Sequence, residues 1–175
     1  MPHVLCIVGQ KHVGKTTLIE RLVPELRRRG YRVATVKRPV HHFEFDIPGK
    51  DGHRHFAAGA EASVVYGDDA VVVARRPRKR AVLDELVAEH LGGVDLVLVE
   101  GHKESPLPKL EVFRSGTHPR PLYRGQAGYI AIASDELVEL GIPWLRLDDA
   151  GGIAAFIAAR FPLPAAGLHV GALSL

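Results

Sequence analysis

Eight consecutive residues carry the strongest chemical signal in the chain: Gly9-Gln10-Lys11-His12-Val13-Gly14-Lys15-Thr16. They match G-x-x-x-x-G-K-S/T in full. Gly9 and Gly14 let the backbone fold round a phosphate with no side chain in the way. Successive N–H groups and a following helix N-terminus supply positive potential for the anion. In this pattern Lys15 reaches the terminal phosphates, and Thr16 offers its hydroxyl to Mg²⁺. Thr17 completes the stretch expected to hold the phosphates. The alternative is a Gly-rich turn before an ordinary helix.

Such a loop needs a carboxylate near the metal. In a parallel sheet it comes from the carboxyl end of a neighbouring strand. The segment VDLVLVEGHK offers Asp95 and Glu100. Asp95 starts its strand and stands at the wrong end. Glu100 ends it, and Gly101 turns the chain away. Glu100 is therefore assigned to the metal side, against the alternative of a solvated strand-end acid.

The elements that must position these residues follow from periodicity. Residues 3–8 read as a buried strand. Residues 15–29 read as a helix with Leu18, Ile19, Leu22, Val23 and Leu26 on one face. Pro24 should free the Glu20 carbonyl and bend that helix, and Gly30 closes it. Residues 32–37 are a second strand, 38–49 a long loop and 50–60 a short helix. Residues 62–66 and 70–75 read as a hairpin around Gly67-Asp68-Asp69. Residues 81–91 read as a helix turning Val82, Leu86 and Val87 inward. Further strands are expected at 95–100, 110–114, 129–133 and 144–147, and helices at 134–140 and 149–160. This alternation predicts an α/β fold of the P-loop NTPase kind: a mostly parallel sheet, helices on both faces, and a small β-hairpin insertion. The expected division is one nucleotide-binding domain over 1–161 and an apolar tail over 162–175.

Composition agrees with this class. The chain has 175 residues, 46% apolar and 25% charged, with a net charge of +3. That excludes a disordered chain, a collagen-like repeat and a coiled coil. No apolar run approaches the ~18 residues of a membrane span. The opening MPHVLCIVGQ lacks a basic n-region, so no signal peptide is expected. The lone Cys6 cannot form an internal disulfide, which suits a reducing cytoplasm. The mild positive charge suits an anionic small molecule as well as nucleic acid.

The segments GQKHVGKTTLIERLVPEL, FDIPGKDGHRHFAAGA, LVLVEGHKESPLPKLEVFR and YIAIASD, in this order, resemble the MobB family. The likeness covers residues 3–160. FDIPGKDG and LVLVEGHK…PKLEV are its specific markers. The resemblance implies a P-loop protein of the SIMIBI type that binds GTP with Mg²⁺ and is a weak GTPase at most. It further implies an accessory role beside a MobA-like guanylyltransferase, which attaches GMP to molybdopterin to form the guanine dinucleotide cofactor. It also implies a homodimer; composition speaks for the cytoplasm and against a membrane partner, and residues 75–80 lack the aromatic interleaving that would support a nucleic-acid partner. Two departures stand out. The family's K-H-x-H-H reads here Lys37-Arg38-Pro39-Val40-His41-His42. Gly52 stands where many relatives carry Ser.

Asp46, in FDIPGKD, is favoured by the resemblance as a switch acid that senses the γ-phosphate through Mg²⁺; spacing alone fits an exposed acidic turn equally. The expected metal set is Thr16, Asp46 and Glu100, and the residues acting on phosphate are Lys15, Asp46 and Glu100. His41, His42, His53 and His55 could gather round Ni or Zn, or face anions as loop histidines. Lys103 and Lys109 could meet a pterin phosphate or a partner's acids. Residues 75–80 pack five cations into six positions, either a partner patch or a solvated turn. No N-K-x-D guanine reader is evident. Asp135 could accept guanine N1–H and N2–H, or Ser134 or Asp135 could cap the next helix. Alternatives to the accessory role are a small-molecule kinase, with Asp46 or Glu100 as base, and a nickel-insertion GTPase.

Overall fold

The computed structural model describes residues 1–39 and 47–163. In chain order the elements are β1 (His3–Val8), α1 (Lys15–Arg28), β2 (Val33–Lys37), α2 (Asp51–Ala57), β3 (Ala62–Tyr66), β4 (Val71–Arg75), α3 (Leu83–His90), β5 (Leu96–Glu100), β6 (Lys109–Phe113), β7 (Tyr129–Ser134), β8 (Trp144–Arg146) and α4 (Ala150–Arg160). Two compact units result. One joins Met1–Arg38 to the chain from Leu86 onward; the other is Pro39–Glu85.

The first unit is built on a six-stranded sheet of order β2-β5-β1-β6-β7-β8, with every neighbouring pair parallel. β1 and β5 are near-continuous aliphatic runs because both faces of a parallel sheet are covered. Leu5, Ile7, Leu96 and Leu98 are wholly buried. They share a core with Leu22 and Leu26 of α1 and Ile153 and Ile157 of α4, and the two helices pack together. Leu18, Ile19, Leu22 and Leu26 are the buried stripe expected of α1. The helix runs through Pro24, whose ring lies on the exposed side. There water can satisfy the carbonyl that proline leaves without a donor. Gly30 (φ 89°) then ends the turn, with Tyr31 N–H donating to Leu26 O at 3.1 Å. Cys6 is buried, and burial pushes its thiol up to about 11, so it stays a thiol at neutral pH.

β6 alternates in character. Leu110 and Val112 enter the apolar core, while Lys109 and Glu111 point the other way. The irregular segment 114–128 leads from β6 to β7. The buried Glu111 carboxylate holds part of it, accepting Leu122 N–H at 2.5 Å and Tyr123 N–H at 2.9 Å. Burial pushes this carboxyl above its usual range, and the two N–H donors oppose that rise.

Three sequence expectations are corrected. Residues 134–140 are not a helix. The Ser134 hydroxyl donates to Glu136 O, and Trp144 Nε1–H donates to Ser134 Oγ and Glu136 O, both at 2.9 Å. These bonds hold a tight turn instead. Of the apolar residues expected inward around α3, Val87 is buried, but Val82 and Leu86 are exposed. Val82 precedes the helix, and the buried side of this short helix runs through Leu83 and Val87, one turn apart. Lys109 is not a surface lysine. It opens β6, is buried, donates to Leu107 O at 3.0 Å, and places its ammonium 5.5 Å from the Tyr129 ring centroid.

In the second unit β3 and β4 pair antiparallel, with Gly67 N–H donating to Ala70 O at 2.9 Å across the turn. One face carries Val64, Tyr66, Val71 and Val73, each more than half exposed. Among the described residues, no helix is long and apolar enough to cross a membrane.

Candidate functional site: a phosphate loop with a carboxylate beside it

β1 delivers the chain to Gly9 at the carboxyl edge of the sheet. Gly9 has φ 148°, and a Cβ there would lie 2.3 Å from Val112 O. Only glycine lets the chain cross this close to β6. His12 (φ 64°) and Gly14 (φ 96°) are left-handed and curl the loop back into α1. Val13 is wholly buried and pins the loop to the core. The Lys15 ammonium lies across the loop, donating to Gln10 O at 2.6 Å and Gly9 O at 3.2 Å. Burial pushes Lys15 below the usual lysine range; nearby Glu100 opposes this and Lys37 adds to it.

The sheet order brings Glu100 to the loop. β5 lies between β2 and β1, with Glu100 in register with Ile7 and with Lys37. The Thr16 hydroxyl stands 3.1 and 3.2 Å from the two Glu100 oxygens, and Lys37 Nζ is 3.3 Å from one of them. Thr16 and Glu100, expected together, are therefore together. Thr17 is exposed in the first turn of α1. Asp46, His41 and His42 lie outside the described residues. His53 and His55 fall on α2, and His53 Nδ1 accepts from Gly49 N–H at 3.5 Å. Among the described residues no group of three His, Cys, Asp or Glu side chains could hold a metal. In the basic run, Arg76 lies 4.5 Å over the Phe56 ring and Lys79 pairs with Glu85 at 2.7 Å.

Asp135 caps no helix. Its Oδ1 accepts Ser115 N–H at 3.3 Å, and its Oδ2 is 3.7 Å from Arg114 Nη1. It lines a cavity of about 370 Å³ with Arg21, Arg114, Leu137, Trp144 and Asp148. The segment after β6 also reaches the loop. Arg114 Nε donates to Val13 O at 3.1 Å, His118 Nε2 pairs with Lys11 O at 2.8 Å, and Gln10 Nε2 donates to Arg120 O at 2.7 Å. The sequence reading missed Arg114 and Trp144. Arg114 had a usable signal, since it follows a strand at the same edge as Glu100. Trp144 had none short of the strand order.

A glycine-bracketed loop between the first strand and first helix of a parallel sheet defines a P-loop NTPase-like α/β protein. The chain belongs to the MobB family: it matches that family's profile, described as molybdopterin guanine dinucleotide synthesis protein B, over residues 4–135. Family membership gives it a role in molybdenum-cofactor biosynthesis. It is 32% identical over 158 residues to the molybdopterin-guanine dinucleotide biosynthesis adapter protein of Escherichia coli K12, covering 88% of this chain and 90% of that one. It is 34% identical over 155 residues to the protein of the same description from Haemophilus influenzae, covering 88% and 86%. A crystal structure of molybdopterin-guanine biosynthesis protein B superposes with a TM-score of 0.71 at 30% identity, over 90% of this chain and 99% of that one.

Proposed function

We propose that this chain is a cytoplasmic GTP-binding accessory protein of molybdopterin guanine dinucleotide synthesis, a slow GTPase at most, acting beside a MobA-like guanylyltransferase and its molybdopterin substrate. The observation that carries the nucleotide part is the Thr16–Glu100 contact at the mouth of the loop. A hydroxyl and a carboxylate form a hard-oxygen donor set suited to Mg²⁺. In this reading the ion, when bound, neutralises phosphate charge. Asp46 is the second acid and the third ligand of that set. Gly9, Gln10, Lys11, His12, Val13, Gly14 and Thr17 offer backbone to the phosphates, and Lys15 leaves its carbonyl partners for them. Slow hydrolysis fits a site where, among the described residues, no Gln or Arg is placed to orient water, a lack that costs ~10³–10⁵ in rate. Arg114 is engaged by the loop's own backbone. Asp135, in its cavity with Trp144, is the guanine reader in this proposal.

Nucleotide titration with Mg²⁺ tests it. GTP should bind more tightly than ATP. Lys15→Ala should weaken GTP by ~10- to 100-fold, the worth of a charge-assisted hydrogen bond of about 1.5–3 kcal/mol. A preference for ATP overturns the guanylation role and favours a kinase.

The homodimer is proposed on the second unit. A lone two-stranded hairpin is marginal in water, yet one face of β3–β4 exposes Val64, Tyr66, Val71 and Val73. A second copy offers the same apolar face, as a two-fold interface requires. Light scattering should give a dimer for the wild type and a monomer for Val73→Lys. A monomeric wild type overturns the dimer.

A further inference from the structure

The guanine reader and the phosphate loop stand on different strands, and one side chain touches both. β6 lies between β1 and β7. A side chain leaving its carboxyl end therefore sits between the loop after β1 and the turn after β7. Arg114 is that residue. Its Nε donates to Val13 O at 3.1 Å, and its Nη1 stands 3.7 Å from Asp135 Oδ2. A Cβ built on Gly14 would meet Arg114 Nε at 3.7 Å and Nη2 at 3.8 Å, so the guanidinium runs alongside Gly14. The next residue, Ser115, gives its N–H to the other Asp135 oxygen at 3.3 Å.

Arg114 is not filler, because it is about half exposed and lines the cavity with Asp135 and Trp144. Its hold on Asp135 is a loose charge pair rather than a bidentate one. A carboxylate has about four lone-pair sites, so both oxygens keep acceptor capacity while the charge opposite limits their rotation. Arg114's hold on the loop is firmer, because Val13 is itself locked in the core.

We infer that Arg114 is a positioning residue that aims Asp135 at the guanine edge and braces the phosphate loop at Val13, so that base recognition and phosphate grip depend on one another. This rests on the guanine reading of Asp135 given above. Lysine cannot replace it, since one ammonium does not span both partners as a planar fork does.

The test is calorimetric titration of GTP, ITP (which lacks the 2-amino group), ATP and inorganic tripolyphosphate, with Mg²⁺, on wild type, Arg114→Met, Arg114→Lys and Asp135→Asn. Thermal melts confirm folding. The wild type should prefer GTP over ITP. Both Arg114 variants should lower that preference by about tenfold, within the usual range of coupling between sites, while tripolyphosphate weakens by a smaller factor. In the Asp135→Asn background, Arg114→Met should leave the GTP/ITP ratio unchanged. An Arg114→Met protein that keeps the full preference overturns the inference alone. So does one that loses GTP, ITP and tripolyphosphate by one common factor. A wild type indifferent among GTP, ITP and ATP overturns the Asp135 reading and this inference with it.

Discussion

Gly9→Ala will cost the protein its nucleotide binding. The added Cβ falls 2.3 Å from Val112 O, a backbone atom of the neighbouring strand. No rotamer change relieves a contact with backbone, so the loop or β6 has to move. The φ of 148° adds strain, since side chains of L residues rarely adopt it. The loop geometry then fails where Lys15 and the amides must converge. Under the proposed function, GTP affinity should fall by at least ~100-fold, the scale of effect that ångström-size misplacement has at such sites. Thermal unfolding should show a loss of about 1–3 kcal/mol, typical of overpacking. An alanine variant that binds GTP as the wild type does would overturn the close approach of the loop to Val112.

The second large effect belongs to Glu111, a buried acid beside Val8 in the sheet. It is 1% exposed and accepts two backbone N–H groups. Glu111→Ala leaves both donors without a partner in a buried place. The expected loss is about 2–5 kcal/mol in chemical denaturation. Glu111→Gln keeps one acceptor oxygen and should lose less. The two variants also differ with pH. Burial raises the Glu111 carboxyl in the folded protein, so its protonated form is favoured by folding. That contribution is complete in acid below the usual carboxylate range and fades as pH rises through the raised folded value. Glutamine does not titrate. The stability of Glu111→Gln relative to wild type should therefore improve from acid towards neutral pH. A gap that is constant or widens with pH would mean that folding does not favour the protonated carboxyl.

The core of the fold was legible because its signals are local. The β1 run, the α1 stripe and the motif between them each appear within a short window, and the hairpin needed only its turn residues and flanking valines. Glu100 was found by a positional rule that needed one correct strand adjacency. What escaped was set by tertiary pairing. Residues 134–140 have the composition of a short helix, yet Trp144 from the next strand closes them into a turn. Lys109 carries a charge, and nothing near it in sequence says that segment 106–107 and Tyr129 will enclose it. Glu111 reads as an ordinary strand acid until Leu122 and Tyr123 fold back over it. Arg114 acquires its partners only when β6 is seated between β1 and β7.

The strand order also bears on how the chain is made. β1 is synthesised well before both of its neighbours, β5 and β6. Until Leu96–Glu100 emerges, this buried strand has no partner in the sheet. The β3–β4 hairpin, by contrast, pairs residues close in sequence and can close at once. The nascent polypeptide therefore passes through a stage in which the hairpin strands can pair while the six-stranded sheet is unfinished. During that stage β1 and the α1 stripe are exposed to aggregation and are natural ligands for chaperones. Gly9 can settle against Val112 only once β6 has been made, so the loop is synthesised well before it can take its shape.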